Sequence, residues 1–318
     1  MRIAIGYDGS ESSKDAILAL GRAGLPNDTE ARVVSVADVW PVVPESSDNH
    51  ASLASNLHQA LAVKQARALA AQARAEAESH ASEGAQLVRS EFPTWKVSDT
   101  VYAGSPALAL IGPTEEQPDL IVVGERGRSA LQRLVLGSVS QSVLTHALCS
   151  VRISRRTNIA ATGIQAPVRI IIGVDGSKEA ALAVSAVAGR TWPASTEVKV
   201  IAAMDLKFWS FLANPTAAAW AAAWSPNDLR DEDGGSWASH AVEAVAEELR
   251  STGLSVTASV EEGDPKHVLV QEAEKWSADC IFVGARGHSG MKRILLGSVS
   301  ASVAARAHCS VEVVRQEH

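Results

Sequence analysis

The residues with the most chemical potential in this chain are glycines set among cations. Gly124, Arg126, Gly127 and Arg128 are followed by Gly137, Ser138, Val139 and Ser140, in the spacing Gly-x2-Gly-x9-Gly-Ser. The same spacing returns 160 residues later, without insertion, as Gly284, Arg286, Gly287, His288, Gly297, Ser298, Val299 and Ser300. Glycine lets the backbone turn sharply and approach a ligand closely, which leaves N–H groups able to point at an anion. A serine after the second glycine can cap a following helix, whose first-turn amides and dipole also favour a phosphate. Arg133 in the first copy, and Lys292 and Arg293 in the second, add positive charge. The chemistry indicated is phosphate binding. A single loop of this kind would be read equally well as a glycine turn, a helix cap and a solvated basic surface; two copies with varied intervening residues favour the ligand.

The elements that must position these loops are short. Leu120–Val123 and Cys280–Val283 precede the loops as apolar runs of the buried parallel-strand type. Helix-like runs from Val139 to Ala147 and from Val299 to Ala307 follow. Each half opens on a strand, Arg2–Tyr7 or Val168–Val174, that ends in Asp8-Gly9-Ser10 or Asp175-Gly176-Ser177. A carboxylate there sits where open α/β sheets bind ligands, although a helix-capping aspartate reads the same alone. Helical periodicity follows over Lys14–Arg22. Further strands are expected at Ala31–Ala37, Val97–Tyr102 and Ser150–Ser154, and at Glu197–Ala203, Ser255–Val260 and Ser310–Val314. Between the second and third strands of the first half, the alanine-rich stretch from Leu57 to Ser82 reads as a long helix, with Gly84 as its stop. The β-α-β order predicts two tandem Rossmann-like α/β domains, each an open five-stranded parallel sheet flanked by helices. Their expected bounds are 1–155 and 168–318, joined by a linker at 156–167.

The glycine stretch ending in Gly-Ser-Val-Ser resembles the nucleotide-binding signature of the universal stress protein family, and the resemblance covers nearly the whole chain. It implies an adenine nucleotide alpha hydrolase-like fold and an ATP site in each half, with Mg²⁺ accompanying the triphosphate. On that resemblance Asp8 and Asp175 meet the nucleoside. The backbone at Val36 and Ala203 meets the adenine, and Gly124, Gly127, Gly137, Ser138 and Ser140, with their counterparts Gly284, Gly287, Gly297, Ser298 and Ser300, hold the phosphates. Family members commonly pair through their last strands, so Val151–Ser154 is expected to face Val311–Val314 within one molecule, with a homodimer as the alternative. Where the usual family sequence has proline around the cysteine, this chain has Leu148 and Ser150, or His308 and Ser310. The function implied is ATP binding in the stress response, as a switch or sensor. A slow ATPase and a scaffold without nucleotide are the competing readings. For hydrolysis, Glu125 is the only acidic residue within either loop, and Ala285 replaces it in the second. No catalytic residue and no metal-ligand set is assigned. His288 in place of Arg128 would make the second site weaker and more sensitive to pH.

Composition sets the outer bounds. A net charge of −7 argues against general nucleic-acid binding, which needs a basic face. No long apolar run suggests a leader or a membrane span, so a cytoplasmic protein is expected. Cys149, Cys280 and Cys309 are odd in number and lack Cys-x-x-Cys spacing, so buried structural thiols are expected rather than disulfides or zinc. Four of the eight tryptophans fall between Trp209 and Trp237, in the least repeated part of the second half, and are read as an apolar cover rather than a lid or partner surface.

Overall fold

The computed structural model describes residues 1–39, 57–112, 117–127, 136–155, 167–204, 236–287 and 296–316. Arg128, Arg133, His288, Lys292, Arg293, most of the linker and nearly all of the tryptophan-rich segment lie outside them.

The first half contributes strands β1 (Arg2–Gly6), β2 (Glu30–Ala37), β3 (Lys96–Ala103), β4 (Leu120–Gly124) and β5 (Ser150–Ser154). The second contributes β6 (Arg169–Gly173), β7 (Glu197–Met204), β8 (Ser255–Glu262), β9 (Cys280–Gly284) and β10 (Ser310–Val314). They form one ten-stranded sheet in the order β3-β2-β1-β4-β5-β10-β9-β6-β7-β8. All pairings within a half are parallel; β5 and β10 pair antiparallel, with Arg152 opposite Glu312. The chain reverses its direction of winding between β1 and β4 in one half, and between β6 and β9 in the other. That reversal opens a crevice at the carboxyl ends of the strands, where ligands of open α/β sheets bind.

Both faces of the sheet are covered, as its near-continuous apolar strands require. On one face lie α1 (Glu11–Leu18, extended by a 3₁₀ turn to Arg22) and α2 (Leu57–Glu91) in the first half, and α5 (Lys178–Ala188) and α6 (Ser236–Ser251) in the second. The other face carries α3 (Pro106–Ile111) and α4 (Ser138–His146), then α7 (Pro265–Trp276) and α8 (Ser298–Arg306). The first face holds two separate cores, one per half. On the second face a single core runs across the junction, from Ala4 and Val34 through Val151, Val311 and Ile281 to Ile201. The two halves therefore share apolar burial as well as a strand pair. Among the described residues no helix is long and apolar enough to cross a membrane.

Two expectations about helices need correction. Helix α1 begins at Glu11 rather than Lys14, because the Ser10 side chain accepts from the Ser13 amide and caps it there. Gly84 does not stop α2, which continues to Glu91. It is a glycine because the helix presses against the sheet at this point: a Cβ would lie 2.8 Å from Tyr7 Cγ and 2.9 Å from Val33 Cγ1. Close approach, not chain reversal, is what this position requires.

Candidate functional site

Each crevice is built from a carboxylate, a glycine turn and a helix start. In the first half Asp8 follows β1, and its Oδ1 accepts from the Ser10 amide at 3.1 Å and the Ser10 hydroxyl at 2.6 Å. In the second half Asp175 Oδ1 accepts from the Ser177 amide at 3.0 Å. Both aspartates thus brace their own turns, whose Gly9 and Gly176 adopt φ of 76° and 77°. Their other oxygens look across the crevice: a Cβ on Gly127 would meet Asp8 Oδ2 at 2.9 Å, and one on Gly287 would meet Asp175 Oδ2 at 2.5 Å. The turn-bracing and crevice-facing roles of the aspartate are met by different oxygens of one side chain.

The glycine turns are pinned at both ends. A Cβ on Gly124 would strike the Ser12 backbone, and one on Gly284 the Glu179 backbone, so each loop leaves its strand directly against the opening helix of its half. At the far end the Gly137 amide donates to Glu125 O at 2.8 Å, and the Gly297 amide to Ala285 O at 2.7 Å. Ser140 and Ser300, both 4% exposed, donate their hydroxyls to Gly124 O at 2.7 Å and Gly284 O at 2.6 Å. These hydroxyls, expected at the phosphates, are committed inside the fold and fix the turn to its helix.

A further correction concerns the helix caps. Ser138 and Ser298 are the first residues of α4 and α8, and the capping positions belong to Gly137 and Gly297. Among the described residues neither helix has a side-chain cap, whereas Ser10, Ser177 and Asp264 cap α1, α5 and α7. The orphan amides of a first turn need an acceptor, and here a ligand could supply it. In the second half the crevice is a cleft of about 200 Å³, lined by Asp175, Ala203, Gly284, Arg286, Gly287, Gly297, Ser298, Val299 and Ser300. Every second-half residue expected at the site is there except His288, which lies outside the described residues. In the first half Asp8, Gly124, Gly127, Gly137 and Ser140 make the matching contacts, and Val36 and Val139 pack beside them against the shared core.

The loop arginines are not alike in their surroundings. Arg126 Nη2 lies 3.1 Å from Glu125 in its own loop, whereas Arg286 Nη2 lies 3.2 Å from Glu179 on α5. Glu125 also receives Arg155 Nε at 2.8 Å.

The sequence pattern of the universal stress protein family matches this chain twice, over residues 1–155 and 168–315. The chain belongs to the universal stress protein family. A universal stress protein of Methanocaldococcus jannaschii is 33% identical over 148 residues, 46% of this chain and 82% of that protein. One from Mycolicibacterium smegmatis is 29% identical over 242 residues, covering 74% of this chain and 76% of its own length. A solved universal stress protein from Archaeoglobus fulgidus superposes with a TM-score of 0.61 at 20% identity, over 99% of this chain and 96% of that one, which shows the shared fold.

The family's cysteine-flanking positions do something here that the sequence did not announce. Ser310 Oγ accepts from the Arg155 amide at 3.0 Å and donates to Arg155 O at 3.1 Å, and Ser150 Oγ accepts from the Arg315 amide at 3.1 Å. The serines standing where the family usually has proline stitch one half to the other. The arginines crossing the same junction were also missed. The signal available was the recurrence of Gly21-Arg22 as Gly189-Arg190: Arg22 Nε and Nη2 donate to Asp279 at 2.8 and 2.7 Å, and Arg190 Nη1 donates to Ala23 O at 3.0 Å. All three thiols are buried, and burial pushes Cys149 and Cys280 up to about 11 and Cys309 to about 12, which leaves them protonated and unreactive at neutral pH.

Proposed function

We propose that this universal stress protein binds ATP, one nucleotide per half, and works in the stress response as a nucleotide-dependent switch or sensor. The observation that carries the reading is the pair of uncapped helix starts. Gly137-Ser138 and Gly297-Ser298 each open at the point where the sheet reverses its winding, opposite a glycine turn and an aspartate. In this reading the first-turn amides of α4 and α8 take the phosphates, Arg126 and Arg286 add charge, and Asp8 and Asp175 use their outward oxygens on the ribose hydroxyls. Val36 and Ala203 present backbone to the base. The second-half cleft is smaller than the ~300–1,000 Å³ of pockets that enclose a whole small molecule, so one end of the nucleotide lies at its mouth. Mg²⁺ would travel with the phosphates, since among the described residues no group of three acidic, His or Cys side chains gathers to hold a metal.

Binding is favoured over hydrolysis by the position of Glu125. Its carboxylate is taken up by Arg155 and Arg126, an arrangement suited to bracing a loop and ill suited to orienting a water.

The test is to replace Gly127 and Gly287 by valine together, titrate ATP by calorimetry, and record circular dichroism alongside. Wild type is expected to take up two nucleotides per chain, and the variant none, with its helix content retained because the added side chains point into the crevices. Equal ATP affinity in the two proteins refutes the site.

A further inference from the structure

The arginine that follows β5, met so far only as a partner of Glu125, is buried and reaches in two directions. Arg155 is 8% exposed. Its Nη2 donates to Ala304 O at 2.7 Å and its Nη1 to Cys309 O at 3.1 Å, at the carboxyl end of α8 in the second half. Its Nε donates to Glu125 Oε2 at 2.8 Å, in the loop of the first site. The other oxygen of that carboxylate, Oε1, faces Arg126 Nη2 at 3.1 Å. One carboxylate is therefore divided between a guanidinium inside the crevice loop and a guanidinium anchored in the opposite half.

The second half carries the same arginine without the same consequence. Arg315 mirrors Arg155: its Nη2 donates to Leu144 O at 2.5 Å and its Nη1 to Cys149 O at 3.4 Å, at the end of α4. The residue that would answer Glu125 is Ala285, which is 3% exposed and carries no charge. Burial pulls Arg315 down to about 10, with Arg286 acting in the same direction. Arg286 turns instead to Glu179 of its own half.

We propose that Arg155 is a positioning residue for the first nucleotide site: anchored on carbonyls of the second half, it holds Glu125 and lets Arg126 turn to the phosphates, so that the first site reaches full affinity only when the halves are docked. The second site has no such dependence. Without Arg155, Glu125 would pair wholly with Arg126 and compete with the nucleotide for it, a charge-assisted contact set against another of the same kind. This inference rests on the nucleotide reading and is separable from it.

The experiment uses the full chain carrying Gly287→Val, so that ATP titration reports the first site alone. Arg155→Leu is expected to weaken ATP binding roughly tenfold, the effect of one partly screened charge contact. Adding Glu125→Ala to Arg155→Leu is expected to restore affinity to within about threefold, because the competing carboxylate leaves with its partner. A purely structural arginine would show loss without that rescue, and this result overturns the proposal. Glu125→Asp provides an arm that does not disturb the buried arginine. The side chain, one methylene shorter, withdraws from Arg155 while staying beside Arg126, and first-site affinity is expected to fall several-fold. In the Gly127→Val background the same Asp substitution should leave the second site unchanged. A wild-type chain that takes up no ATP refutes the nucleotide reading; ATP uptake that ignores both Arg155→Leu and Glu125→Asp refutes this inference alone.

Discussion

Glu312 is the carboxylate on which the junction of the two halves depends, and neutralising it should cost more stability than any other single change at that seam. It is 1% exposed, on β10, directly opposite Arg152 of β5, which is also 1% exposed. Arg152 Nη1 lies 3.2 Å from Glu312 Oε2 and 3.2 Å from Cys280 Sγ, while its Nε has no hydrogen-bond partner among the described residues. Arg190 closes on the other side of the carboxylate, and it keeps the Ala23 carbonyl at 3.0 Å and the Phe282 ring at 5.1 Å as further partners. Glu312→Gln therefore strands one guanidinium, Arg152, in a site that no water reaches. Removing one partner of a buried pair costs about 3–5 kcal/mol. At about 2 °C per kcal/mol, the lower end of the range for chains of a few hundred residues, Tm falls by about 6–10 °C. Scanning calorimetry of wild type, Glu312→Gln and the double variant Arg152→Met/Glu312→Leu reads the effect. The double variant should recover most of the loss, because both charges leave the interior and Arg190 retains its carbonyl. A Tm for Glu312→Gln within about 2 °C of wild type would show that the pair is not desolvated as described. A double variant less stable than the single one would refute the burial argument itself.

Two further outcomes follow from packing and titration. Gly84→Ala gains about 1 kcal/mol of helix propensity, but its Cβ would overlap Tyr7 and Val33 at under 3 Å; net destabilisation of about 1–2 kcal/mol is expected in urea unfolding, and a stabilised variant would contradict the close approach. The three thiols are held protonated by burial, with values of about 11 to 12 against about 8.5 in an unfolded chain. Because the folded values are raised, the stability they represent is whole below about pH 8.5 and is lost as pH climbs through 11–12. The urea midpoint should fall between pH 7 and pH 10.5, and a thiol reagent should label no cysteine at neutral pH until the chain is unfolded. Labelling of the folded chain at pH 7 would overturn this assignment.

The strands that carry the loops were legible because each is a short apolar run closed by a glycine, as in Leu120–Gly124 and Cys280–Gly284, and the repeat gives each run a second witness. The crevice was legible for the same reason: Asp8-Gly9-Ser10 and Asp175-Gly176-Ser177 fall at the same ends of equivalent strands, so topology brings them to the glycine turns. What the sequence hid is decided by contacts between elements distant in the chain. Gly84 reads as a stop until Tyr7 and Val33 are seen beneath it. Ser140 and Ser300 read as phosphate ligands until the carbonyls of Gly124 and Gly284 are found 2.7 and 2.6 Å away. Glu125 reads only as the one acidic residue of either loop until Arg155, anchored on carbonyls across the junction, is found holding it.

The differences between the repeats carry as much information as the likeness. Arg152 and Glu312 occupy equivalent places in strands β5 and β10, and the antiparallel register sets them face to face. Pairing two β5 strands from separate chains in that register would bury arginine against arginine, and pairing two β10 strands would bury glutamate against glutamate. Either arrangement gives up the Coulombic gain while still incurring the desolvation of two charges, which is the costliest form of buried charge. Only unlike strands can close this seam in that register. The exchange of Glu125 for Ala285 follows the same logic one layer out: once the seam admits only unlike partners, each half meets a fixed neighbour. Arg155 can then be paired on one side while Arg315 is left to carbonyls on the other.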